Sequence, residues 1–263
     1  MPSDISFMLA GALVGFCVGL PGVGGGSLMT PLLSMMGVPL PTAIGTDLLY
    51  ASITKSSGAF VHASKKNIDW RVVALLGAGS IPASLATAWI LSTFFKDAGS
   101  YKHVMTTALG FMLMLTALSL LFKKQLQRFH DANPVSNHFR QWVNNHNVAG
   151  TVLMGLALGI LVTLSSVGAG AFGVVVLLSL YPMLSTIKII GTDVTHAVFL
   201  TLVAGIAHAK MGNVDYHLLT TLLIGSIPSI IAGTLLSSRM PDHVIRPILG
   251  TTLMALSVKF VFY

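Results

Sequence analysis

The chain contains no glutamate, and its acidic residues are eight aspartates spread over 263 positions. Lysine and arginine together number 15, so charged residues make up 9% of the chain, against roughly a quarter in an ordinary soluble domain. So little charge cannot cover a water-soluble globule of this size, and it excludes a disordered segment, which needs high polarity. The single cysteine, Cys17, excludes a disulfide framework. No Cys/His set has metal-ligand spacing and no nucleophile motif is present, so neither metal nor cofactor is expected.

What the chain has instead is apolar surface. Hydrophobic residues make up 54% and the mean hydropathy is +0.82. They lie in runs long enough to cross a hydrocarbon layer about 30 Å thick at about 1.5 Å per helical residue. The chain therefore reads as an integral membrane protein, with the lipid bilayer as its first partner. A pI of about 9.7 could suggest nucleic acid, but the basic residues sit in short loops and one linker, where membrane topology places them. No nucleic-acid partner is expected. The first run, residues 5–20, lacks the basic start and cleavage site of a signal peptide and is read as part of the mature chain.

Sliding the chain by 146 positions lays one half on the other. Gly45-Thr46-Asp47 falls on Gly191-Thr192-Asp193, and His62-Ala63 on His208-Ala209. Asn67-x-Asp69 falls on Asn213-x-Asp215, Gly79-Ser80-Ile81-Pro82 on Gly225-Ser226-Ile227-Pro228, and Gly22-Val23-Gly24 on Gly168-Ala169-Gly170. The expected fold is an all-α polytopic membrane protein of two homologous repeats, residues 1–122 and 148–263, joined by a polar linker over 123–147. Each repeat reads as a Gly-broken helical hairpin followed by three long helices. These are 5–37, 42–62, 70–94 and 104–122, then 148–184, 187–208, 217–236 and 244–262. Glycines within the 5–37 element break it because each costs about 1 kcal/mol in a helix relative to Ala. Lys65, Lys66 and Arg71 beside one loop, and Lys123, Lys124, Arg128 and Arg140 in the linker, mark the cytoplasmic side. The matching loop of the second half holds only Lys210, while 237–246 holds Arg239 and Arg246, which predicts repeats inserted upside down relative to each other.

Broken helices survive in a bilayer only when buried in protein or lining a cavity. A matched pair of breaks points to a transporter binding site, with half-helix N-termini favouring an anion. The expected substrate groups are Gly22, Gly24, Gly25, Gly26 and Ser27 at the first break and Ser165, Ser166, Gly168 and Gly170 at the second. Close helix packing is the competing reading of these glycines. Ionisable groups inside apolar helices are the sharper feature, because charge at such depth costs several kcal/mol and faces a cavity or a partner. Lys55 would attract the anion; Asp47, Asp193 and His196 would carry protons; Thr46 and Thr192 would add hydroxyls. Helix capping competes as a role for the two aspartates, and snorkelling for Lys55. His62 and His208 read as interfacial, Asn67-x-Asp69 and Asn213-x-Asp215 as turns, Pro82 and Pro228 as kinks, and Trp70, Trp89 and Tyr216 as interface anchors.

The chain resembles the TauE/SafE family of sulfite and organosulfonate exporters over nearly its whole length, apart from the linker. The resemblance is carried by Gly15-x3-Gly19-x2-Gly22-x-Gly24-Gly25-Gly26, Pro31-Leu32-Leu33, Ala43-Ile44-Gly45-Thr46-Asp47, Asn67-Ile68-Asp69-Trp70 and Gly79-Ser80-Ile81-Pro82, with their second-half echoes. Many members carry Ser or Asn where Asp47 stands here, so the Gly-Thr-Asp form with Lys55 marks a subgroup. The resemblance implies an inner-membrane permease exporting a small sulfur-containing anion such as sulfite or sulfoacetate, coupled to the proton gradient. The expectation is a carrier whose halves rock about a mid-membrane site. Its rivals are an anion channel, a metal-cation permease, and an aspartyl protease using Asp47 and Asp193; a homodimer is left open.

Overall fold

The computed structural model describes residues 3–19, 28–95, 101–132, 137–168, 170–236 and 242–262. The described residues form ten helices and no strand: α1 Asp4–Gly19, α2 Met29–Met35, α3 Leu40–Ser64, α4 Trp70–Phe94, α5 Lys102–Ala132, α6 Asn137–Ser165, α7 Ala171–Leu180, α8 Thr186–Lys210, α9 Tyr216–Leu236 and α10 Asp242–Phe262. Each half thus holds a long helix, a short one and three long ones, as the hydrophobic pattern predicts. Segments in α4, α5, α6, α8 and α9 are long and apolar enough to cross a membrane. The linker differs from expectation. It is largely helical, α5 running on to Ala132 and α6 starting at Asn137, because Lys123 to Ala132 holds good helix formers and no Gly or Pro.

Polarity is distributed inside out relative to a soluble protein. Leu9, Leu85, Phe94, Ile224, Ile231 and Leu235 are exposed, whereas Thr46, Asp47, Ser80, Ser84, Thr163 and Asp193 are fully buried. Lipid solvates the first group, and packing of one helix on another must satisfy the second.

Sequence also sets the helix starts. Asp69 caps α4, accepting from the Arg71 and Val72 amides at 3.2 and 3.3 Å. Its repeat partner Asp215 caps α9 through the Leu218 amide at 2.9 Å. Each cap ties down an amide that the first helical turn leaves without a partner. Both helices continue unbroken past their internal prolines, Pro82 and Pro228.

The two halves are interleaved. α1 packs along α9, α6 along α4, and α3 along α8. In the first pairing a Cβ at Gly11, Gly15 or Gly19 would land on backbone of Leu222, Ser226 or Ile230. In the second, a Cβ at Gly155 or Gly159 would land on backbone of Leu76 or Ser80, and one at Gly79 on the Val152 carbonyl. Only glycine lets the backbones come this close. α3 and α8 lie antiparallel, Gly45 against Asn213 and Gly191 against Asn67. Rocking one whole half against the other, as expected from sequence, would have to break all three interfaces at once. α10 stands apart from this block and packs on α5, with Gly250 against the Leu121 side chain.

Candidate functional site

The polar centre is assembled on α3 and α8, each 25 residues long. Asp47 is fully buried on α3. Thr30, in the first turn of α2, donates its hydroxyl to Asp47 Oδ2 at 2.5 Å. The hydroxyl of Ser166 lies beside the same carboxyl. Thr30 follows the first sequence break and Ser166 sits in the second, so residues flanking both interruptions meet at Asp47. Asp193, the repeat partner, is also fully buried, and its carboxylate lies against Gly173 in the first turn of α7. Each aspartate therefore sits beside the start of the short helix of its own half. Lys55 is half buried on α3, within electrostatic range of both Asp47 and Asp193, and acts on His196 as well.

Two further bonds cross between the halves. Tyr50 Oη lies 2.5 Å from Ser226 Oγ, and His196 Nε2 lies 2.8 Å from Ser80 Oγ. Under the 146-residue shift Tyr50 is equivalent to His196 and Ser80 to Ser226, so these are one contact made twice. Tyr50, Ser80 and Ser226 were not among the expected site residues. The Gly-Ser-Ile-Pro echo held the signal, because it repeats a serine inside two apolar helices.

Other expected residues have structural partners. Thr46 Oγ1 accepts from the Asp215 amide at 3.1 Å, and Thr192 Oγ1 accepts from the Asp69 amide at 2.9 Å. Both hydroxyls thus fasten the turn of the opposite half. Ser165 Oγ donates to the Leu161 carbonyl at 2.6 Å and accepts from the Val167 amide at 3.2 Å, closing the end of α6. Gly168 is buried at φ 120°, a conformation glycine alone adopts easily, with the Met112 methyl against it. Gly170 precedes α7. Gly22, Gly24, Gly25, Gly26 and Ser27 lie outside the described residues.

His208 departs from expectation. It is fully buried rather than interfacial, with Nε2 2.9 Å from the Thr163 carbonyl. The reason is that the end of α8 is covered by the start of α3, where Gly45 admits it. Outside the centre, a groove of about 420 Å³ runs between α4 and α8, walled by Ala74, Ala78, Pro82 and Phe199, and reaches His196. Among the described residues no group of three or more His, Cys or Asp could hold a metal ion.

A family model described as "Sulfite exporter TauE/SafE" matches residues 7–260. The probable membrane transporter protein YjnA of Bacillus subtilis is 35% identical over 258 residues, covering 98% of this chain and all of that one. YdhB of the same organism, also a probable membrane transporter, is 26% identical over 89% of this chain and 90% of its own. The probable membrane transporter MJ0441 of Methanocaldococcus jannaschii is 24% identical over 69% of this chain and 64% of its own. No solved structure matches. The family is described as exporters and these relatives as probable membrane transporters, not as enzymes, which removes the aspartyl-protease reading of Asp47 and Asp193. A match running almost end to end, over a buried polar centre in a lipid-solvated helical body, places this chain in the TauE/SafE family of membrane transporters.

Proposed function

We propose that the protein is a secondary transporter that exports a small sulfur-containing anion, such as sulfite or sulfoacetate, across the cytoplasmic membrane. The observation that carries the reading is Lys55, which lies within range of one carboxylate from each half. A cation set among buried carboxylates can exchange them for an anionic guest, which costs far less than carrying an uncompensated charge through lipid. Asp47, Asp193 and His196 would handle the coupling protons. Outward movement of an anion is also favoured by an inside-negative potential, at roughly 2.3 kcal/mol per charge per 100 mV.

Alternating access would then be a movement of the α5–α10 pair against the six-helix block of α1, α3, α4, α6, α8 and α9. Two observations support this division. The block is joined by backbone contacts at glycine, whereas α5 meets its surroundings through side chains such as Met112, which repack easily. Antiparallel pairing of the equivalent helices α3 and α8 supports inverted repeats, whose related ends would present the site to either side in turn.

The test is transport of labelled sulfite or sulfoacetate into proteoliposomes under an imposed pH gradient and potential. Saturable flux that responds to the pH gradient supports the reading. A protein that folds yet moves none of these anions overturns it, and unitary currents in a bilayer would favour a channel instead.

A further inference from the structure

The starts of α4 and α8 lie side by side. The Asp69 amide donates to Thr192 Oγ1 at 2.9 Å, and Lys188 Nζ lies 3.8 Å from Asp69 Oδ2. The groove of about 420 Å³ opens between these helices, from Val73 near the start of α4 to the His196 ring. On α4 its wall includes Ala74, Ala78 and Pro82, which recur every four residues and so share one face. Arg71, three residues before Ala74, continues that face to the helix start. Its side chain is exposed, with no ion-pair partner among the described residues. Lys188 stands likewise on the α8 face that carries Thr192, His196 and Phe199. The groove thus has apolar walls and a cationic mouth. The second half repeats neither. Under the 146-residue shift Gly77 and Ala78 become Leu223 and Ile224, Arg71 becomes His217, and Thr42 stands in place of Lys188. Charge placed only to orient the chain has no reason to come and go with a groove, so the pairing points to one ligand that uses both.

We propose that this seam is a binding site for an anionic phospholipid, with its phosphate on Arg71 and Lys188 and an acyl chain in the groove as far as His196. The site goes beyond the transporter reading and does not depend on it. An arginine fork pairs with phosphate oxygens in two parallel bonds, and lysine adds a point charge. Lys65 and Lys66, exposed on the loop that leads to Asp69, raise the positive potential on the face that these residues mark as cytoplasmic. Juxtamembrane basic clusters of this kind attract the anionic lipids of that leaflet. Asp69, the carboxylate at the mouth, is taken up by the Arg71 and Val72 amides and by Lys188. Below the mouth a hydrocarbon chain needs only contact, and Val73, Ala78, Pro82 and Phe199 supply it. Room for the chain comes from small side chains, since a Cβ at Gly77 would meet only the Ile81 methyl at 3.7 Å. The groove ends at a fully buried imidazole, so the bound chain seals the polar centre from bulk lipid on this side.

The experiment is thermal unfolding of the purified full chain in detergent, titrated with phosphatidylglycerol or with phosphatidylcholine of the same chains. Phosphatidylglycerol should raise the melting temperature in a saturable way and phosphatidylcholine much less. Glycerol 3-phosphate, which has the phosphate without the chains, should leave it unchanged. Gly77→Leu/Ala78→Ile, which puts the second half's residues into the groove, should abolish the difference between the two lipids. Arg71→Gln/Lys188→Gln should raise the half-saturating phosphatidylglycerol concentration at least tenfold. An equal rise with both lipids means ordinary solvation by hydrocarbon and overturns the proposal, as does no rise with either. A difference that survives the filled groove, an unchanged half-saturation without the two cations, or a full response to glycerol 3-phosphate also overturns it. If Gly77→Leu/Ala78→Ile does not fold, Ala78→Ile alone, on the exposed side of α4, decides in its place. Sulfite flux is measured separately, so its loss sinks the transporter reading and leaves the lipid site standing.

Discussion

His196 stands in the second half where Tyr50 stands in the first, and each reaches a serine of the opposite half, Ser80 at 2.8 Å and Ser226 at 2.5 Å. The duplicated scaffold thus holds its centre with one contact used twice, a phenol on one side and an imidazole on the other. Lys55 has no such counterpart, since Thr201 occupies the equivalent place. The symmetry is broken at the charge.

That makes Lys55→Met the sharpest single test of the anion reading. Sulfite flux in proteoliposomes should fall at least tenfold, about 1.4 kcal/mol of barrier, while the protein still folds and elutes as a single species. Undiminished flux would take Lys55 out of the mechanism.

The paired bonds should behave as coupled partners. Tyr50→Phe and Ser226→Ala should each lower stability by about 1–2 kcal/mol, because each leaves a buried hydroxyl or its partner unsatisfied. The double variant should be no worse than the poorer single one, since both remove the same bond. Ser80→Ala should match Ser226→Ala. Unfolding measured for these four variants and the wild type checks this, and simple additivity would argue against the bond.

Glycine positions should divide by what surrounds them. Gly15→Val and Gly159→Val drive a side chain into the backbone of α9 or α4 and should destabilise by about 3 kcal/mol or more, with little folded protein recovered. Gly77→Ala meets only the Ile81 methyl at 3.7 Å and should be tolerated. Yield and melting temperature of the three variants give the comparison.

Cross-linking distinguishes the bodies that move. Ser84 Oγ and Thr163 Oγ1 lie 2.7 Å apart and join α4 to α6 across the halves. In a Cys17→Ser background, oxidised Ser84→Cys/Thr163→Cys should keep its sulfite flux. Tyr101, just before α5, donates to Asn213 Oδ1 at 3.2 Å in the turn between α8 and α9. Tyr101→Cys/Asn213→Cys joined by a short bis-thiol reagent should lose flux. Loss in the first pair that reverses on reduction would mean that the halves themselves move apart.

Composition and periodicity were enough for the helices and the membrane, because each is written locally. Apolar run length sets a span, Asp69 and Asp215 set helix starts, and the matched Gly-Thr-Asp and Gly-Ser-Ile-Pro motifs expose the repeat. The ionisable residues Asp47, Lys55, Asp193 and His196 were legible for the same reason, since charge inside an apolar helix stands out against its neighbours. Which groups meet was decided only in three dimensions. Thr46 and Thr192 have hydroxyls that sequence offers to a guest, yet each fastens a turn more than a hundred residues away. Ser80 and Ser226 look like ordinary small residues until α4 and α9 bring them to His196 and Tyr50. Above all, the interleaving of the halves depends on glycine backbones touching across helices far apart in the chain, and no run of neighbouring residues records that.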